Sequence, residues 1–179
     1  MRQIRENLFE TNSSSTHVIT IANNNDDDFK NNLPEKVYMR LGEFGWDFER
    51  YDDIDSKASY LFTAIVYNDK VDDYLMKLIK TLESWKIEVE HTPIKKIESE
   101  YTKGRFYWVN EEKPNEYFYI DHSDELDDWL KELFADETLL MNYLFSPESF
   151  VATGNDNDDE DLDDKTNAKN ILMTFDKGN

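Results

Sequence analysis

Two blocks of helically spaced apolar residues, set apart by short β-rich runs, constrain this fold more than any other feature of the chain. In the first block Ala58, Leu61, Phe62 and Ile65 recur at i, i+3, i+4 and i+7, which predicts a helix capped by Asp55 and reaching about residue 67. A second helix opens at Asp69 and runs to about residue 85, with Val71, Tyr74, Leu75, Leu78, Ile79 and Leu82 on its inner face. In the second block Ser123 caps a stripe of Leu126, Trp129, Leu130, Leu133 and Phe134, and Asp124 and Glu125 suit the first turn of that helix. Asp136 begins a fourth helix carrying Leu139, Leu140, Tyr143 and Leu144. Ser146-Pro147 ends it, because proline excludes the helical conformation from the residue before it.

The β-rich runs alternate with these helices. Residues 16–21 are β-branched and alternating, and residues 2–9 are also strand-like. The polar run between them, 11–15, favours a turn, since its Asn and Ser side chains bond nearby backbone. A protruding β-hairpin over residues 1–22 follows. Residues 36–41 read as a third strand, 86–90 as an edge strand stopped by Pro93, and 105–109 with 116–120 as a second hairpin across 110–115. Residues 42–53 read as an aromatic, acidic loop whose Phe44, Trp46, Phe48 and Tyr51 pack on the core or its rim. Residues 170–175 are apolar enough to dock back as a last strand or short helix. The expected architecture is α+β: a mixed, mostly antiparallel sheet with about four helices packed on it. One domain spans 1–179, with 154–165 as an acidic surface loop.

Charge narrows what such a domain can meet. The 179 residues contain 20 Lys plus Arg against 40 Asp plus Glu, a net charge of −20. Most of this surface repels phosphate backbones, so binding to free nucleic acid should be weak. The excess acid serves solubility, or it resembles a phosphate backbone and fits the basic groove of a nucleic-acid-binding protein. The chain has no cysteine, which excludes disulfides and thiolate metal sites. No run approaches a membrane span in length, and the start lacks a signal-peptide core, so an intracellular soluble protein is expected.

Asp156, Asp158, Asp159, Glu160, Asp161, Asp163 and Asp164 form a dense acidic run. Set against a calcium-binding loop, it has Asp161 where the turn glycine belongs and Asn167 where the bidentate glutamate belongs. It therefore reads as a solvated loop. The three histidines are not paired at helical spacing, so no metal site and no cofactor is expected. His91 and His122 read as ordinary loop residues.

The segment Phe9-Glu10-Thr11-Asn12-Ser13-Ser14-Ser15-Thr16-His17 differs from these. Residues 1–22 set Arg2 and Arg5 against Glu6 and Glu10, a balance of zero, where an even share of −20 over 179 residues would be roughly −2.5. It is locally the least repulsive surface for RNA. If Glu10 pairs with Thr16, then Phe9 faces His17, Asn7 faces Ile19 and Arg5 faces Ile21, which puts Arg5, Asn7 and His17 on one face. Those groups suit RNA cleavage by internal transesterification. His17 and Glu10 would exchange protons, and Arg2 or Arg5 would offset charge at phosphorus. A plain polar turn, whose Asn12 and hydroxyls satisfy their own backbone, explains the same residues.

The pattern Arg2-x-x-Arg5-x-Asn7-x-Phe9-Glu10-Thr11-Asn12-Ser13-Ser14-Ser15-Thr16-His17 resembles the N-terminal signature of type II-A anti-CRISPR proteins from phages and mobile elements of Gram-positive bacteria. The resemblance is specific over about the first 22 residues and general beyond them. It implies an inhibitor of a type II Cas nuclease that provokes truncation of its guide RNA in the bacterial cytoplasm, with the N-terminal hairpin as the working part. The partner would be the nuclease with bound guide RNA. Carried over by position, the acting residues are Arg2, Arg5, Glu10, Asn12, Ser13, Ser14, Ser15, Thr16 and His17, with Asn7 added by the strand geometry. On the proton-transfer reading His17, Glu10, Arg5 and Arg2 are catalytic and the others hold RNA. Whether cleavage is intrinsic or induced in the nuclease stays open, and the competing reading is a non-enzymatic acidic mimic that blocks a basic channel.

Overall fold

The computed structural model describes residues 15–23, 32–45, 47–68, 70–99, 102–121, 126–155 and 170–177. Its central sheet is built from both ends of the chain. Strand β1 (Ser15–Ala22) lies between β9 (Phe150–Asn155) and β10 (Ile171–Lys177), and β4 (Glu49–Tyr51) completes the order β10-β1-β9-β4. Every neighbouring pair in this sheet is antiparallel. Three two-stranded sheets surround it: β2 (Lys36–Met39) with β5 (Glu88–His91), β3 (Glu43–Phe44) with β8 (Tyr119–Ile120), and β6 (Ile94–Glu98) with β7 (Phe106–Asn110). The first two are parallel and the third antiparallel. The fold is thus α+β, with mixed and mostly antiparallel pairing.

Four α-helices supply the other layer: α1 (Ile54–Tyr67), α2 (Met76–Ser84), α3 (Leu126–Ala135) and α4 (Glu137–Phe145). Helix α1 is the core element, because Ala58, Tyr60, Leu61, Phe62, Ala64 and Ile65 are all fully buried. It packs with α4 against β1, where Ile19 and Ile21 join the same core. The expected stripe on α3 is observed whole, and Trp129 is among the largest buried side chains. Helix α4 begins as its sequence predicts: the Asp136 carboxylate accepts from the Thr138 and Leu139 amides.

Several local expectations are corrected. The cap of α1 is Asp53, whose carboxylate accepts from Ser56 N. Asp55 instead sits in the first turn and accepts from Tyr38 N on β2. Residues Val71–Leu75 form a π-helical turn before α2. The edge strand comes two residues late because Lys86 takes a left-handed φ of 62° and offsets the chain. The expected loop at 42–53 contains β3 and β4, and its Phe44 is core, as packing of its aromatics required. The hairpin expected between 105–109 and 116–120 does not form. Strand β7 pairs with β6 instead, while Ile120 is drawn into the core beside Phe44 as β8 pairs with β3. Asn110 Oδ1 turns the intervening chain away by accepting from Glu112 N and Lys113 N. The final apolar stretch docks as the edge strand β10.

Candidate functional site

The polar motif meets the sheet at Ser15. There Ser15 pairs with Asn155 and Thr16 with Gly154, while His17 lies between Thr153 on one side and Lys177 on the other. Alternation along β1 sends His17 to the same face as Ile19 and Ile21, toward α1. His17 is 0% exposed.

Two hydrogen bonds hold its ring. Tyr60 Oη lies 3.0 Å from Nδ1, and Nε2 lies 2.9 Å from the carbonyl oxygen of Asp121. Burial pushes the Tyr60 phenol well above the ordinary tyrosine range, so Tyr60 keeps its proton. A carbonyl can only accept, so Nε2 carries a proton and donates to Asp121. Helix α1, strand β1 and the end of β8 are thereby tied at one point.

The surroundings fit that ring closely. Gly45 follows β3 with φ of +110°, and a Cβ there would come within 2.9 Å of His17 Cε1 and Nε2. Both the conformation and the space require glycine. Tyr60 packs edge-on against Phe44 at 5.2 Å and Trp129 at 6.0 Å, and Trp129 in turn packs against Tyr143 at 5.5 Å. Thr153 Oγ1 donates to the Asp47 carbonyl, which fastens the 45–49 turn over β9.

A second buried polar group lies along α1. Lys57 is 1% exposed, and its Nζ donates to the carbonyls of Ser146 and Ser149 at 2.9 and 3.0 Å. It closes the turn between α4 and β9. Burial lowers its pKa to about 8, against the opposing pull of Asp52 and Asp53.

The sequence-predicted site is therefore only partly in view. Arg2, Arg5, Asn7, Glu10, Asn12, Ser13 and Ser14 lie outside the described residues, as do His122, Trp46 and the acidic run 156–164. Ser15 and Thr16 enter β1. His17 turns into the core rather than onto an exposed face, and over residues 17–20 both edges of β1 are taken by β9 and β10. The register assumed for Arg5, Asn7 and Phe9 falls outside the described residues. His91 ends β5 and its Nδ1 lies 2.9 Å from the carbonyl oxygen of Thr92. Sequence reasoning missed Tyr60, Asp121 and Gly45. One signal for the pin was present, since strand alternation already placed His17 with Ile19 and Ile21.

Among the described residues, no group of three or more His, Asp or Glu is placed to hold a metal ion, and no helix is long and apolar enough to cross a membrane. Comparison with protein-family models, with curated proteins and with solved structures finds no match.

Proposed function

We propose that this chain is an anti-CRISPR-type inhibitor of a type II Cas nuclease, acting in the bacterial cytoplasm on the nuclease loaded with guide RNA. The observation that carries the reading is the motif from Arg2 to His17, joined to the anchoring of its last residue. A histidine pinned between α1 and the end of β8 fixes the last residue of the motif within the sheet. The acidic body, at net charge −20, complements a basic nucleic-acid channel and supplies the docking force.

The pin changes which residues do the work. A fully buried imidazole bonded at both nitrogens is a positioning group, out of reach of RNA. If the guide is shortened by chemistry in this chain, Glu10 remains as the motif's base, with Arg2 and Arg5 offsetting charge at phosphorus. Asn7, Asn12, Ser13 and Ser14 would hold the strand.

Engagement of His17 also favours the second reading, in which the chain performs no chemistry and blocks the channel as an acidic mimic. Target-DNA cleavage by the guide-loaded nuclease, measured with and without the protein, tests what both readings share. Loss of cleavage at near-equimolar protein is expected, and cleavage unchanged at a large molar excess refutes the inhibitor reading. The mimic is released by high salt with activity restored, because its attraction is screened. Truncation of the guide persists after the salt is added.

A further inference from the structure

The β6–β7 hairpin breaks the acidic pattern of this surface. Residues 94–109 carry Lys95, Lys96, Lys103 and Arg105 against Glu98 and Glu100, a surplus of two positive charges where an even share of −20 over 179 residues would give roughly −1.8. Lys36, Arg40, Lys70 and Lys131 sit in ion pairs with carboxylates. Lys95, Lys96, Lys103 and Arg105 take part in none among the described residues.

Exposed aromatic rings are interleaved with these charges. Phe106 is 47% exposed, Tyr107 44% and Tyr117 81%. Tyr67, Ile97, Tyr107, Trp108, Tyr117 and Phe118 line a groove of about 780 Å3 between the hairpin, the end of α1 and the approach to β8. Lys96 Nζ stands 5.4 Å from the centre of the Trp108 ring. The register puts Lys95 on the same face as Ile97, Tyr107 and Val109. Glu116 also borders the groove, but its carboxylate is held by Lys113 at 3.0 Å and by Asn110 at 3.1 Å.

We propose that this groove binds single-stranded RNA, with Tyr107 and Tyr117 stacking on bases and with Lys95, on the Tyr107 face, and Arg105 facing the phosphates. Stacking platforms beside cations are the general solution for unpaired strands, whose bases are free to stack as those of a duplex are not. The Asn115 side chain and the Glu116 carboxylate offer acceptors to a ribose 2′-hydroxyl, a donor that DNA lacks. The surface lies on a different part of the fold from the polar motif. It stands whether or not the chain inhibits a nuclease.

The test uses the full chain with a labelled ten-nucleotide single-stranded RNA, no nuclease present, read by fluorescence anisotropy at moderate salt. Saturable binding is expected, weaker for single-stranded DNA of the same sequence and absent for the RNA duplex. The Tyr107→Ala/Tyr117→Ala double variant should weaken binding at least tenfold, since one stacked base is worth roughly 5- to 150-fold in affinity. Lys95→Glu should weaken it as well and reduce its salt dependence. All three residues are solvent-facing, so thermal melts matching the parent chain show that folding is intact, and either variant suffices if the other disturbs it. No saturable binding, binding indifferent to both variants, or equal affinity for DNA overturns the assignment.

Discussion

Replacing His17 with phenylalanine keeps a ring in the site, somewhat larger than imidazole, and removes both hydrogen bonds. The variant leaves the Tyr60 hydroxyl without its partner in a fully buried site, which costs on the order of 1–3 kcal/mol. Chemical denaturation should show that loss, with the dependence on denaturant unchanged. Gly45→Ala should destabilise comparably, because it strains a φ of +110° and presses on the same ring. Lys57 gives a pH signature. Folded, its pKa is about 8, and unfolded about 10.5. Between these values the unfolded chain holds the extra proton, so stability rises with pH across that window. Above pH 10 the trend reverses, because burial keeps Tyr60 and Tyr143 protonated in the folded state alone. Thermal melts of Lys57→Met should lack the rise between pH 8 and 10. None of this residue-scale wiring was legible in the sequence beyond the shared face of His17, Ile19 and Ile21. Tyr60 and Asp121 lie 43 and 104 positions from His17, and nothing local marks such pairs.

At the scale of elements, local chemistry was readable where it is self-sufficient. The α4 cap is a case: Asp136→Ala removes the acceptor for two amides and should cost about 1 kcal/mol, seen as a fall of roughly 2–4 °C in Tm for a chain of this size. The stripe of α3 was equally plain, since its five apolar positions obey one period and all are buried. Strand pairing was not readable. Strand β9 follows Pro147 with too short a run to announce itself, yet it lies at the middle of the main sheet. Its partner β1 comes from the other end of the chain. The β7 run looked ready to pair forward with 116–120, but Asn110 closes a tight turn and the buried Ile120 belongs beside Phe44. Partner choice was decided by core burial, which sequence alternation does not encode.

For the whole molecule, charge sets how it meets others. A body of net charge −20 should associate with a basic nuclease quickly at low salt. Its association rate should fall steeply as ionic strength rises, while dissociation changes little. Stopped-flow mixing at two salt concentrations checks this. The same charge was legible from composition alone, and so was the zero balance of residues 1–22. The aromatic groove beside β6–β7 was not, because it takes shape only once β7 is paired with β6. The central claim concerns the guide RNA, and a denaturing gel of that RNA, taken from the nuclease complex after incubation with this chain, tests it most directly. The account predicts a shortened guide only when the nuclease is present, with Glu10→Gln abolishing the shortening. An intact guide under conditions where the nuclease is bound would contradict it.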